Sequence, residues 1–134
     1  MKGGALALET VMEAARTAAG RAYAPYSNFH VGAAILTGGG AIHSGSNVEN
    51  ASYGLSICAE RNAATTMATA DPQDREIEFV AVFSPNASPC FPCGACRQVL
   101  REFGCKEVVV YDGQELLRYP FDQILPNSFG PKDL

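Results

Sequence analysis

The chain has 134 residues, a length typical of one domain, and its 47% hydrophobic and 18% charged content is that of a globular protein. Its formal net charge is −4 and no cluster of Lys or Arg stands out, which argues against a nucleic-acid-binding surface because such a surface needs cations to replace phosphate counterions. No apolar run approaches the roughly 20 residues of a membrane span, and the Ala-rich region 1–22 carries charges unlike a signal peptide. We therefore expect one cytoplasmic domain over residues 1–134 that binds a small, uncharged molecule, with no nucleic acid and no membrane as partner.

The predicted elements alternate between helices and strands. Apolar residues at helical spacing predict a first helix over 6–21, and a glycine-rich turn at 38–40 predicts a hairpin. In chain order we expect a helix at 6–21, strands at 31–36 and 41–47, a helix at 58–69 with Ser56 as N-cap, a strand at 77–83, a helix from 93 or 94 to 103, strands at 107–111 and 116–119, and a helical turn at 121–125. This order predicts a single α/β domain with a mixed sheet and helices packed against it.

The five cysteines are an odd number, and three of them, Cys90, Cys93 and Cys96, lie within seven residues. In a cytosolic protein such crowding indicates metal or redox chemistry rather than a disulfide framework. Two of the sequence's Cys-x-x-Cys pairs follow a proline, so spacing alone does not choose between Cys90/Cys93 and Cys93/Cys96. Pro92 favours the second pair because proline fits the first turn of a helix better than its interior.

A zinc site that activates water follows from these residue types. Cys93 and Cys96 would lie on one side of a first helical turn, and Cys58 opens another helix. Three protein ligands leave the fourth tetrahedral position open for water, and Glu60 is the obvious base. Three thiolates also need positive charge nearby, which Arg61 and Arg97 can supply.

Three other interpretations compete with the zinc site. The spacing of Cys90, Cys93 and Cys96 also begins an iron–sulfur motif, although its fourth cysteine is missing. A Cys-x-x-Cys redox pair is possible, but it leaves Cys58 and Glu60 without a role. A closed structural zinc site would use Cys90 or Cys105 as a fourth ligand.

The sequence resembles the small, homotetrameric, three-cysteine cytidine deaminases over nearly the whole chain. The resemblance is carried by Cys58-Ala59-Glu60-Arg61 and by the segment 92–99, and it extends to the segments 24–34, 47–53 and 125–131. The region between Tyr111 and Ile124 matches least well. The resemblance implies a three-layer fold in which a mixed five-stranded sheet has helices on both faces.

The resemblance also implies roles for single residues. One Zn²⁺ per subunit would be held by Cys58, Cys93 and Cys96, Glu60 would move protons, and Arg61 would offset the charge of the thiolates. The implied substrate contacts are Asn47 and Glu49 at the ribose hydroxyls, Phe29 and the backbone of Ala59 at the base, and Tyr53 and Phe129 from a neighbouring subunit of a homotetramer. Without the resemblance, Asn47 and Glu49 fit a polar turn, Phe29 fits core packing and Phe129 fits a frayed tail.

The implied reaction is hydrolytic deamination of free cytidine and 2′-deoxycytidine to uridine and 2′-deoxyuridine plus ammonia, in pyrimidine salvage. Zinc-bound water activated by Glu60 would attack C4 of the ring. One alternative is a deaminase of another aminopyrimidine nucleoside, as in the blasticidin-type enzymes. A second is a non-catalytic, zinc-stabilised module, which would show no open coordination position.

Overall fold

The computed structural model describes residues 4–134, so the first three residues of the expected domain lie outside it. The chain forms four α-helices and five β-strands in the described part. Their bounds are α1 Ala5–Ala19, β1 Gly32–Thr37, β2 Ile42–Ser46, α2 Ala59–Ala70, β3 Ile77–Phe83, α3 Gly94–Glu102, β4 Glu107–Tyr111, β5 Leu116–Pro120 and α4 Phe121–Ile124. Short 3₁₀ turns occupy Tyr53–Leu55 and Pro131–Asp133. Each predicted helix and strand is present, with its ends within two residues of those expected from the sequence.

The five strands form one mixed sheet in the order β2-β1-β3-β4-β5. β3 and β4 run parallel because α3 connects them as a crossover, and the other neighbouring pairs are antiparallel. The central strands β1 and β3 consist almost entirely of buried residues, as strands covered on both faces do. The predicted mixed five-stranded sheet is confirmed.

Helices cover the two faces of the sheet and enclose two separate apolar clusters. On one face α1 packs Val11 and Met12 against Leu36 and Phe79. On the other face α2, α3 and α4 share a cluster that includes Ala63, Met67, Leu100, Phe121 and Ile124. The fold is therefore the expected three-layer arrangement, and α2 and α3 lie on the same side of the sheet.

The predicted N-cap of the second helix is wrong. Cys58 is the N-cap of α2, in extended conformation and without a side-chain capping bond. Ser56 lies outside the helix, and its hydroxyl accepts a hydrogen bond from the backbone N–H of Asn50 instead. Cys93 is likewise the N-cap of α3. Both helices thus begin at a thiol, which leaves the N–H groups of their first turns without a side-chain cap.

Among residues 4–134, no helix has the length and apolar character that a membrane span requires.

Candidate active site

Three thiols meet where α2 and α3 begin. The Sγ atoms of Cys58 and Cys93 are 3.8 Å apart, those of Cys93 and Cys96 are 3.5 Å apart, and all three lie within 4.8 Å of one another. Tetrahedral zinc with Zn–S bonds of about 2.3 Å requires sulfur atoms roughly 3.8 Å apart. The spacing and the soft donor set therefore fit one zinc ion.

The start of α2 is held against the sheet at Gly45 in β2. A Cβ atom at this position would lie 2.5 Å from the backbone nitrogen of Ala63 and 2.8 Å from the carbonyl oxygen of Ala59. Only glycine allows so close an approach without a shift of backbone. The contact places Cys58 and Glu60, which flank Ala59, at a fixed height above the sheet.

Arg61 supplies the positive charge beside the thiols. Its Nη2 lies 3.5 Å from Cys58 Sγ and 3.5 Å from the carbonyl oxygen of Ser56. Its Nε is buried and has no hydrogen-bond partner within residues 4–134. Hydrogen bonding from the Cys96 thiol, together with this guanidinium, lowers the pKa of Cys58 to about 5. The pKa of Cys96 is raised in turn by its hydrogen bond to Cys58 and by burial. A cation with spare donor capacity suits a cluster whose sulfur atoms are thiolates.

Glu60 is buried in the first turn of α2, with 4% of its surface exposed. Burial raises the pKa of Glu60 to about 7, and the charge of Cys58 acts in the same direction while Arg61 opposes it. A carboxyl group whose pKa lies near 7 can both accept a proton and give it back at neutral pH. Glu60 is therefore equipped for proton transfer beside the thiols.

A cavity of about 260 Å³ opens in front of the thiols. Most of the residues predicted from the sequence line it together. Its walls are Ser27, Phe29, Val31, Asn47, Glu49, Cys58, Ala59, Glu60, Cys90, Phe91 and Cys93. A larger depression of about 720 Å³ lies near the C-terminal segment and contains none of the three clustered thiols.

Asn47 and Glu49 hold the loop that carries Phe29. Asn47 Oδ1 accepts a bond from the backbone N–H of Val31, and Asn47 Nδ2 donates to the carbonyl of Phe29, both at 2.8 Å. Glu49 Oε1 accepts bonds from the backbone N–H groups of Tyr26 at 2.9 Å and Ser27 at 3.2 Å, and Oε2 accepts the Ser27 hydroxyl. Both side chains thus shape one wall of the cavity, a role in addition to the substrate contacts that the resemblance implies for them.

Tyr53 and Phe129 are not among the residues that line this cavity. Tyr53 is 75% exposed and lines an adjoining cavity of about 210 Å³ together with Tyr26 and Glu49. Phe129 is 57% exposed and is not part of the main cavity. Its carbonyl accepts a bond from Gln98 Nε2 at 2.9 Å, so the segment that carries it is tied to α3.

The two remaining cysteines are outside the thiol cluster. Cys90 lines the cavity, and burial raises its pKa to about 11. Cys105 is buried elsewhere, and its thiol donates to the carbonyl of Glu107 at 3.3 Å. Of the two cysteine pairs left open by the sequence, the structure brings Cys93 and Cys96 to Cys58. Neither Cys90 nor Cys105 joins them as a fourth member.

The geometry agrees with a comparison with known families. Residues 7–112 match the sequence model of one protein family, the cytidine and deoxycytidylate deaminase zinc-binding region. The chain belongs to this family. The three clustered thiols thus lie within the zinc-binding region that defines these deaminases.

Named members of the family are similar over most of their length. The cytidine deaminase of Halalkalibacterium halodurans is 40% identical, over 84% of this chain and 86% of that protein. The cytidine deaminase of Mycobacterium tuberculosis is 41% identical, over 90% of this chain and 87% of that protein. The crystal structure of cytidine deaminase from Burkholderia pseudomallei is 43% identical with a TM-score of 0.80, covering 90% of this chain and 98% of that one.

Proposed function

We propose that this chain is a cytidine deaminase, a hydrolase acting on the C–N bond of a cyclic amidine. It converts free cytidine and 2′-deoxycytidine to uridine and 2′-deoxyuridine with release of ammonia, in pyrimidine salvage. The observation that carries the proposal is a cluster of three thiols, two of which, Cys58 and Cys93, line one cavity together with buried Glu60. The similarity to proteins named cytidine deaminase supports it.

Cys58, Cys93 and Cys96 hold one zinc ion in this proposal. When bound, zinc acts as a Lewis acid that makes water a nucleophile near neutral pH. Glu60 takes one proton from the attacking water and delivers it to N3 of the base as the C4–O bond forms. It then takes a second proton from the hydroxyl group now on C4 and delivers it to the amino group, which leaves as ammonia when the C4–N bond breaks. Arg61 offsets the negative charge of the sulfur atoms from its position beside Cys58.

The cavity wall orients the nucleoside. Phe29 lies against the base, and the backbone of Ala59 and the carboxyl of Glu60 bind its polar edge. Asn47 and Glu49 bind the ribose hydroxyls. Their bonds to the loop leave one N–H of Asn47 and one acceptor site of Glu49 free for hydrogen bonds to the substrate. Ionised Glu49 only accepts hydrogen bonds and is an anion, so it suits neutral hydroxyl groups and would repel a phosphate group placed beside it.

We further propose that the chain, as one domain over residues 1–134, works as a cytoplasmic homotetramer in which Tyr53 and Phe129 serve a neighbouring site. Several large apolar side chains are exposed in the single chain, as expected of a surface that another copy covers. These are Tyr26, Val48, Tyr53, Leu55, Ile57 and Phe129.

An ultraviolet deamination assay over a panel of nucleosides, with and without a chelator, tests the function. We expect turnover of cytidine and 2′-deoxycytidine by zinc-loaded protein and loss of turnover on chelation. Zinc-loaded protein that leaves cytidine unchanged would contradict the proposal. Turnover of an aminopyrimidine antibiotic alone would favour the blasticidin-type alternative, and zinc binding without any turnover would favour a zinc-stabilised module.

Sedimentation tests the assembly. We expect the active protein to sediment as a tetramer. A fully active monomer would remove Tyr53 and Phe129 from the substrate site.

A further inference from the structure

Arg97 lies one residue after Cys96, yet its guanidinium binds the backbone rather than the thiols. Its Nε donates to the carbonyl of Pro92 at 2.7 Å, and its Nη1 donates to the carbonyl of Ile124 at 2.6 Å. These are the two hydrogen bonds that its side chain makes within residues 4–134. The sequence suggested that both Arg61 and Arg97 could offset the charge of the thiolates, but within residues 4–134 only Arg61 forms a hydrogen bond with a thiol of the cluster.

The bond to Pro92 acts directly on Cys93. The Pro92 carbonyl belongs to the peptide bond that leads into Cys93, and the backbone N–H of Arg97 donates to the carbonyl of Cys93 itself at 2.9 Å. Arg97 therefore binds the peptide groups on both sides of Cys93. The bond from the Arg97 N–H is the first backbone bond of α3 and forms with any side chain at this position. The bond from Nε to Pro92 is what the Arg97 side chain adds, and it fixes the peptide group before Cys93, which the helix itself does not hold.

The bond to Ile124 connects this loop to the core. Ile124 ends α4, where helical carbonyls lack partners within the helix. Ile124 and Phe121 are buried in the cluster shared by α2 and α3. Arg97 thus links the loop before α3 to a helix anchored in the same core.

We propose that Arg97 is a positioning residue that holds Cys93 in place for the metal and thereby slows the loss of zinc. The inference rests on the zinc site of the proposed function. It depends on the shape of the side chain, because the rigid fork of a guanidinium reaches two carbonyls in different directions. Lysine keeps the positive charge but places a single ammonium group, so it cannot replace both bonds.

The test compares the zinc-loaded wild type with R97K, R97Q and R101Q. Transfer of zinc to an excess of a chromogenic chelator gives the rate of metal loss. We expect R97K and R97Q to lose zinc about 10- to 100-fold faster than the wild type, the usual size of an effect from a residue that supports a ligand. The cobalt-loaded forms of both variants should also show altered thiolate-to-metal absorption, which a merely less stable fold would not produce.

Arg101 provides the matched control. It lies one turn later on α3, is partly buried and donates from Nε to Ser128 Oγ at 2.9 Å. It helps to hold the C-terminal segment without touching the loop before Cys93. We expect R101Q to lower the melting temperature while it leaves the rate of zinc loss within about twofold of the wild type.

Each other outcome has a definite meaning. If R97K loses zinc at the wild-type rate, charge rather than shape is what matters and the inference is wrong. If R101Q accelerates zinc loss as strongly as R97K, the effect is general loosening and the inference is also wrong. Should R97K fail to fold, R97Q, which keeps a donor for one carbonyl, still provides the comparison with R101Q, and equal rates of zinc loss in R97Q and the wild type would then refute the inference. A wild type that binds no zinc would instead refute the proposed function.

Discussion

Gly45 and Ala59 touch where the sheet meets the start of α2. A Cβ atom on Gly45 would lie 2.8 Å from the carbonyl oxygen of Ala59, closer than real Cβ atoms approach backbone oxygen. Ala59 separates a thiol from the buried carboxyl group of the candidate site. The depth of both groups is therefore set by the absence of a side chain on the neighbouring strand.

We expect G45A to destabilise the fold by about 1–3 kcal/mol, because the added methyl group must displace the backbone of α2. The same displacement should weaken zinc binding. Urea unfolding with and without added zinc measures both effects. G38A is the matched control, since a Cβ atom on Gly38 meets nothing within 4 Å, and we expect a change of at most about 0.5 kcal/mol. Equal losses in the two variants would show that close packing at Gly45 is not the cause.

We expect E60Q to retain zinc and to lose deamination by at least about 100-fold, because glutamine keeps the shape of the side chain but cannot take up a proton. The measurement is cytidine turnover together with metal content. E78Q is a suitable control. Glu78 lies on β3, forms an ion pair with Lys106 at 2.7 Å and does not line the cavity. Activity of E60Q within about tenfold of the parent, with zinc retained, would remove Glu60 from proton transfer.

We expect C93S to lose most of its zinc and C90A to retain it. Cys93 belongs to the cluster of three thiols, whereas Cys90 lines the same cavity outside that cluster. The pair of variants therefore separates a ligand from a neighbouring thiol in one environment. Metal content after gel filtration in metal-free buffer is the measurement. Retention of zinc by C93S, or its loss from C90A, would reverse the assignment of the ligand pair.

The pKa of Glu49 is held below its ordinary value of 4.5, chiefly by the Ser27 hydroxyl and also by the backbone N–H groups of Tyr26 and Ser27 and the charge of His30. Because the folded state favours the ionised carboxylate, its contribution to stability is complete above pH 4.5 and is lost as the pH falls through the lower folded pKa. The difference in unfolding free energy between the wild type and E49Q should therefore be constant near neutrality and shrink in acid.

Urea unfolding of the wild type, E49Q and S27A over a series of pH values measures this effect. S27A removes the largest cause of the shift, so we expect its stability to depend less on pH in the acid range than that of the wild type. A wild-type advantage over E49Q that stays the same from neutral pH into acid would contradict the assignment.

Local patterns were sufficient to predict the elements of the fold. The apolar run 77–83 predicts a strand at Ile77–Phe83, and Pro92 correctly favours the cysteine pair that joins Cys58. Capping was harder to predict, because Ser56 is a better N-cap by residue type than the thiol that takes the position.

Contacts between distant segments could not be predicted from such patterns. Asn47 donates to the carbonyl of Phe29 and accepts from the N–H of Val31 only because the segment after β2 lies against the loop between α1 and β1. In the same way, nothing in the sequence near Arg97 indicates that its partner is the end of α4. The motifs predicted that Cys58, Cys93 and Cys96 would cluster, and the resemblance, not residue type, singled out Phe29, Asn47 and Glu49. The hydrogen bonds of these side chains depend on the assembled sheet.

The spacing that suits three thiols to one metal ion has a cost once the ion is withdrawn. The sulfur of Cys93 then remains 3.5 Å and 3.8 Å from those of its neighbours, and Cys93 is exposed to solvent. An oxidant can take two electrons from such a pair and join it as a disulfide, after which the pair no longer provides two ligands for the ion. Metal-free preparations therefore need a reductant from the moment of chelation, and inactivity after storage without one would reflect oxidative damage rather than an intrinsic lack of activity.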